Sequence, residues 1–148
     1  MKFQIVLLCL FFLVELNATP FYFKSYDMED GLSNNHVTCC VQDDYGFMWF
    51  GTRDGLNRFD SKKFYTFKSY SSEKGSLMSS YILDLAKSPT GQIWVSTNLG
   101  LQKYDYQTDS FTLIDFTKGI NCYSLQFDQQ GNLWMILNGY SLVKYNES

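Results

Sequence analysis

The sequence predicts an all-β protein made of β-propeller blades: about three four-stranded antiparallel blades in an incomplete ring. Three observations support this fold: frequent aromatic residues, short apolar segments separated by turn residues, and one pattern that occurs three times. Thirteen Phe, eleven Tyr and three Trp among 148 residues favour strands, where aromatic side chains are common. Ten Gly and only two Pro suit many tight turns better than a bundle of helices.

The repeated pattern is a glycine, a tryptophan three residues later and a second glycine after the tryptophan. Trp49 and Trp94 are 45 residues apart, and Trp94 and Trp134 are 40 apart. Four short strands and one tryptophan per unit of this length are typical of a propeller blade. Three blades cannot close a ring, since propellers have about four to eight, so we expect a truncated N-terminal piece or a fragmentary gene product. The repeat residues are Gly46, Trp49, Gly55, Gly91, Trp94, Gly100, Gly131 and Trp134.

Each unit divides into four predicted strands. The glycine before each tryptophan fits a turn position with positive φ, which glycine adopts at little cost. Each tryptophan lies inside a strand, where its wide ring can fill the space between stacked sheets. In the first unit we predict strands at Val37–Asp43, Phe47–Thr52, Leu56–Phe59 and Lys63–Lys68.

The first residues have the layout of an export signal. Lys2 gives a positive start, Ile5–Val14 is an apolar run, and Ala18 is a small residue at the predicted cleavage site. The run is about half of the ~20 residues that span a membrane. Phe23–Tyr26 matches Phe67–Tyr70, which suggests an outer strand that would complete a last blade. The predicted divisions are a signal peptide at 1–18, an outer strand and lead-in loop at 19–36, and blades at 37–70, 71–116 and 117–148, the last incomplete.

Charge and cysteine content exclude several kinds of site. A net charge of −3 with scattered lysines and arginines gives no basic surface for nucleic acid. Without the leader, three cysteines remain, Cys39, Cys40 and Cys122, and we expect them to be small buried strand residues and not a disulfide framework. His36 is the only histidine, so no Cys/His metal spacing exists. We therefore predict no metal and no cofactor.

Two segments carry a resemblance to a known family. Gly31-Leu-Ser-Asn-Asn-His-Val37 leads into a Trp-x-Gly-Thr-x-x-Gly-Leu pattern that follows an Asp-x-x-Gly turn. This arrangement closely resembles the two-component regulator propeller repeat of periplasmic sensors in hybrid two-component systems of Bacteroidetes. The resemblance covers about residues 21–145. It is best in the first blade and loosest in the third, where Asn138–Tyr140 replaces Arg-Asp-Gly or Asn-Leu-Gly.

The resemblance implies a larger signalling protein. Such sensors carry two propellers, an immunoglobulin-like domain, a membrane span, a histidine kinase, a receiver and a DNA-binding region, and they commonly detect oligosaccharides. We therefore expect an oligosaccharide ligand, further blades and downstream domains as partners, and possible dimerisation of the full-length sensor. We also expect a periplasmic location, with the full-length protein anchored in the inner membrane. This chain has no kinase motif, so we expect no enzymatic activity from it.

The candidate ligand site consists of loop residues that a propeller places on one face. Amide, guanidinium and carboxylate groups offer directional hydrogen bonds to sugar hydroxyls, and nearby tyrosine rings could stack on sugar faces. The alternative is that these residues only form turns and solvated loops. The candidates are Asn34, Asn35, His36, Arg53, Asp54, Asn98 and Asn138.

Other functions find less support in the sequence. His36 has no recognisable partner for acid–base catalysis. Asp43 and Asp44 could suggest glycosidase chemistry, but Ser88–Pro89 replaces them in the second unit, which favours a turn role. A secreted propeller enzyme such as a polysaccharide lyase and a protein-interaction scaffold remain alternatives. Because three blades leave open edges, we also expect poor solubility or self-association.

Overall fold

The computed structural model describes residues 21–70 and 73–146 and contains two short 3-10 helices, at Met28–Asp30 and Asp115–Thr117. The signal peptide predicted for residues 1–18 lies outside the described residues. The remaining regular structure is strand, which confirms the all-β prediction. The strands are β1 (Val37–Gln42), β2 (Met48–Thr52), β3 (Gly55–Phe59), β4 (Phe64–Phe67), β5 (Ile82–Lys87), β6 (Ile93–Thr97), β7 (Gly100–Asp105), β8 (Ser110–Leu113), β9 (Cys122–Phe127), β10 (Leu133–Leu137) and β11 (Ser141–Tyr145).

The strands form three antiparallel sheets in which each strand pairs with the next one along the chain. The orders are β1-β2-β3-β4, β5-β6-β7-β8 and β9-β10-β11. The first strands are neighbours, since β1 packs beside β5 and β5 packs beside β9. The sheets are therefore arranged as propeller blades, with β1, β5 and β9 innermost. The strands predicted for the first unit differ from the observed ones by at most one residue at either end.

The apolar core lies between the blades. One buried cluster joins the first and second blades around Trp49, which has no exposed surface, and another joins the second and third blades around Trp94. Both rings fill the space between stacked sheets, as predicted. Trp134 occupies the equivalent position in the third blade but is half-buried, because no described blade covers that face. Burial of each tryptophan thus depends on the following blade.

The N-terminal segment differs from the outer strand expected at Phe23–Tyr26. Residues 21–27 lie outside every strand, and Phe23 is 95% exposed. A strand needs a neighbour for its backbone hydrogen bonds, and pairing of this segment with a last blade stays a prediction. Tyr26 instead packs edge-on against Phe59 and Phe64, with ring centroids 5.1 and 5.8 Å away. The segment therefore covers part of the open face of the first blade.

The cysteines do not share one environment. Cys122 is buried between blades, Cys39 is half-buried and Cys40 is exposed, so the expectation of three buried cysteines is wrong for Cys40. Cys40 occupies the repeat position of Leu85, which is buried against the first blade, but no described blade covers Cys40. All three are free thiols. Desolvation by burial raises the pKa of both Cys39 and Cys122 to about 11.

Candidate functional site

The blades present two faces. The hairpin face carries the loops after the second strand of each blade, at residues 53–54, 98–99 and 138–140, and the segments that enter the innermost strands. The turn face, at the opposite strand ends, carries the turns between the first and second strands, at residues 43–47, 88–92 and 128–132. All seven predicted ligand residues lie on the hairpin face.

Equivalent hydrogen bonds organise the hairpin face in every blade. The first residue of each hairpin loop donates its backbone N–H to the carbonyl of the residue before the innermost strand. His36 and Arg53 are therefore brought together, and Asn98 and Asn138 occupy the equivalent places, as predicted. The three bonds are Arg53 to His36 at 3.2 Å, Asn98 to Tyr81 at 3.3 Å and Asn138 to Asn121 at 2.8 Å.

The third hairpin loop is one residue longer than the others. Thr52 pairs with Gly55 across a two-residue loop, whereas Leu137 pairs with Ser141 across three residues. Asn138 and Gly139 both have positive φ, 51° and 79°, which a tight hairpin turn requires. The extra residue projects Tyr140, whose surface is 93% exposed. This insertion explains why the third unit matches the repeat pattern only loosely.

The predicted ligand residues also have structural partners within the hairpin face. The side chains of Asn34 and Asn35 accept hydrogen bonds from the backbone N–H groups of His36 and Met28. Asp54 pairs with Lys68 at 2.7 Å. Arg53 lies 5.9 Å from the ring centre of Tyr81 in the next blade. These contacts fit the turn-forming alternative, and a ligand role for the seven residues stays a prediction.

Asp43 organises the turn face of the first blade. Its buried carboxylate accepts backbone hydrogen bonds from Tyr45 and Phe47 and side-chain bonds from the Trp49 indole, at 2.8 Å, and the Tyr106 hydroxyl, at 3.0 Å. Desolvation and the Asp43 carboxylate raise the pKa of Tyr106, which keeps this hydroxyl protonated as a donor. Asp43 therefore has the turn role that the sequence favoured over glycosidase chemistry.

The three blades differ at the position of Asp43. Asp128 in the third blade again accepts the indole N–H of its tryptophan, Trp134, at 3.0 Å. Ser88 holds this position in the second blade and bonds the backbone N–H of Gln92. The buried indole nitrogen of Trp94 consequently has no hydrogen-bond partner among the described residues. The second blade thus lacks one interaction that the other two share.

Acid is expected to destabilise the protein through Asp128. Partial desolvation would raise its pKa, but hydrogen bonds from Trp134, Asn132 and Gln130 outweigh this and lower the pKa from 3.8 to about 2. Because the folded pKa is depressed, the carboxylate stabilises the fold above about pH 4, and this contribution is lost as pH falls towards 2. Urea midpoints measured from pH 6 to pH 2 should decline over that range.

The Asp128→Asn variant provides the control for this pH dependence. It should be less stable than the parent chain at pH 6, while the difference between the two should vanish near pH 2. A difference that stays constant with pH would contradict the assignment to Asp128. Asp60 and Asp105 also have lowered pKa values, owing mainly to backbone N–H donors at Lys63 and Gln107, so some decline should persist in the variant.

Two clefts formed by the described residues open on the turn face. One, of about 540 Å³, lies beside the ends of the innermost strands and is lined by Lys87, Ser88 and Asp128 among others. The second, of about 520 Å³, lies along the turn-face end of the second blade beside Tyr45 of the first blade, and we call it the tyrosine cleft. Residues that line it include Tyr45, Gln92, Lys103, Asp105, Tyr106 and Gln107.

Sequence reasoning missed the tyrosine cleft. None of the seven predicted ligand residues lines either of these two clefts in the described part of the chain. Tyr45 lies in the first turn of blade one and Tyr106 in the last turn of blade two, 61 residues apart in sequence (106 − 45). Two tyrosines at turn positions, where glycine, asparagine and aspartate are usual, were the available signal.

The described residues contain no cluster of three or more His, Cys, Asp or Glu side chains that could hold a metal ion. No helix within residues 21–70 or 73–146 is long and apolar enough to cross a membrane.

One stretch of the chain matches a known family, and a longer stretch is similar to a named protein. Residues 31–54 match the family model described as the two component regulator propeller. A protein named "Histidine kinase P4", from Formosa agariphila, is 46% identical over 67 residues. This match includes 44% of the present chain but only 5% of that protein. The chain therefore corresponds to a small part of the relative.

Solved structures match the fold over most of the chain. The extracellular domain of the hybrid two component system BT3049 from B. thetaiotaomicron superposes with a TM-score of 0.68 at 30% identity, covering 78% of this chain and 18% of that one. The extracellular domain of BT4673 from the same organism gives a TM-score of 0.67 at 20% identity, covering 84% and 18%. The second likeness supports the propeller fold alone.

Proposed function

Since this chain carries a two-component regulator propeller repeat and is similar to the extracellular domain of a hybrid two-component system, we propose that it forms part of a ligand-recognition module in a signalling protein. The observation that carries the proposal is the 30% identity to BT3049 at a TM-score of 0.68. The chain spans 18% of that domain, so the proposed recognition module also includes blades outside this chain.

Recognition and phosphotransfer lie in different regions of the proposed signalling protein. This chain binds the ligand outside the cytoplasm, in the periplasm, and a histidine kinase elsewhere in a longer, membrane-anchored protein produces the signal. The predicted leader at residues 1–18 and the extracellular relatives support export. The Asp43 carboxylate holds a turn and an indole, which gives it a structural role in this region.

The proposed ligand is an oligosaccharide. Both faces present hydrogen-bonding side chains, with amides and charged groups on the hairpin face and tyrosines and carboxamides around the tyrosine cleft. Such mixed donors and acceptors suit sugar hydroxyls, and a cleft of about 520 Å³ falls within the ~300–1,000 Å³ usual for small ligands.

Ligand-induced thermal stabilisation tests this proposal. The chain should be mixed with a panel of neutral and acidic oligosaccharides, with glycerol at matched hydroxyl concentration as the control. A ligand that binds only the folded state stabilises it by about 2.7 kcal/mol at 100 times its Kd. We expect at least one oligosaccharide to raise the melting temperature and glycerol at matched concentration to leave it unchanged. Absence of any shift across the panel would contradict an oligosaccharide ligand.

A further inference from the structure

The exposed ring of Tyr45 forms one wall of the tyrosine cleft. Tyr45 is 72% exposed, and its ring centre lies 4.9 Å from that of Tyr106. Tyr106 is in turn fixed by its hydroxyl bond to Asp43 and by an edge contact with Trp49. An exposed aromatic ring held by a rigid neighbour needs little further ordering when a ligand binds. Tyr45 is therefore a preorganised surface for stacking.

The polar groups around this ring are also held in place. The side-chain amide of Gln92 donates a hydrogen bond to the backbone carbonyl of Tyr104. Asp105 accepts backbone hydrogen bonds from Gln107 and Thr108, which fixes its carboxylate in the last turn of the second blade. Carboxamides supply both donors and acceptors, and a carboxylate supplies acceptors, as neighbouring sugar hydroxyls require.

The charges along the cleft indicate which sugars fit. A smaller cleft of about 180 Å³ adjoins the tyrosine cleft, sharing Tyr45 and Tyr106, and adds the Asp44 carboxylate to the wall. Lys87 pairs with Asp44 at 2.5 Å, and Lys103 extends over the Trp94 ring at 5.6 Å. Two carboxylates and one lysine line the combined cleft, and Lys87 neutralises one of the carboxylates, so the cleft has no net positive charge. The carboxylate of an acidic sugar would therefore lose water there without net attraction.

We propose that the tyrosine cleft is a binding site for a neutral oligosaccharide, with one sugar ring stacked on Tyr45 and hydroxyls bonded to the carboxamide and carboxylate groups beside it. This inference rests on the proposed function and adds the location of the site and the class of sugar. The proposed site lies on the turn face, where Tyr45 of the first blade meets the second blade, and not on the hairpin face.

Calorimetric titration of the full chain with xylotetraose, mannotetraose, cellotetraose and trigalacturonate tests the site. At least one neutral tetrasaccharide should bind, and trigalacturonate should not. Tyr45→Ala should weaken that binding about tenfold, since the stacking surface is lost, whereas Tyr45→Phe should retain it. Unchanged circular dichroism and melting temperature of Tyr45→Ala would establish that the loss is local.

Tyr140→Ala is the matched control, because Tyr140 is also an exposed tyrosine but lies on the hairpin face. It should bind as the parent chain does. If Arg53→Ala or Asn98→Ala removes binding and Tyr45→Ala does not, the site is wrong while the oligosaccharide-sensing function stands. Binding of trigalacturonate alone would overturn the ligand class. Binding of none of the four sugars would overturn the inference, and the broader thermal-shift panel would then decide the proposed function separately.

Discussion

Trp49→Ala is expected to lower the free energy of unfolding by about 3–5 kcal/mol. Trp49 is fully buried between the first two blades, where its ring stacks on Phe67 at 5.6 Å and meets the edge of Tyr104 at 4.8 Å. Its removal leaves a cavity at the centre of the larger apolar cluster and leaves Asp43 without the indole donor. Urea denaturation followed by circular dichroism measures the loss.

Trp134→Ala is the matched control for this substitution. Trp134 has the same place in its blade and the same bond to a turn aspartate, but it is only half-buried because no described blade packs over it. Removal of the Trp134 ring should lower the free energy of unfolding by about 1 kcal/mol. Equal losses for the two variants would contradict the conclusion that stability is concentrated between the blades.

Asp43→Ala is expected to lower the free energy of unfolding by about 3 kcal/mol. Its carboxylate is 4% exposed and accepts bonds from two backbone N–H groups, the Trp49 indole and the Tyr106 hydroxyl. Each buried donor left without an acceptor costs about 1–3 kcal/mol, and these costs are not fully additive. The same urea titration measures the effect.

Ser88→Asp is the reciprocal variant for Asp43→Ala. It introduces a carboxylate at the equivalent position of the second blade, where the buried Trp94 indole lacks an acceptor among the described residues. We expect the free energy of unfolding to rise by about 1 kcal/mol. If Ser88→Asp destabilises the chain instead, the turn carboxylate is not an independent stabilising element of each blade.

The short-range features were predictable because they depend on neighbouring residues. Gly46 and Gly91 have φ values of 89° and 84°, as expected from their place just before each aromatic strand. The strands of the first unit were predicted to within one residue because turn residues separate them clearly. Burial of Trp49 and Trp94 followed from the repeat, since copies of one unit cover each other's apolar faces.

The candidate site was less predictable because it depends on residues from different blades. His36 and Arg53 were expected near each other and are joined by a backbone hydrogen bond. The pairing of Asp54 with Lys68 could not be inferred from spacing. The exposure of Cys40 also escaped prediction, because a strand pattern does not reveal which blade lacks a neighbour. The tyrosine cleft combines the first turn of one blade with the last turn of the next.

The sequence by itself determined the repeated unit, its strand order and the turn residues, because these depend on side chains a few positions apart. The tertiary structure decided which copy of each repeated residue is buried and which surfaces form clefts. The packing of one blade on the next buries Trp94 and brings Tyr45 against Tyr106. The buried indole nitrogen of Trp94 has no hydrogen-bond partner in the part of the chain that the structure describes. Contacts between distant residues depend on how the sheets stack, which local patterns do not encode.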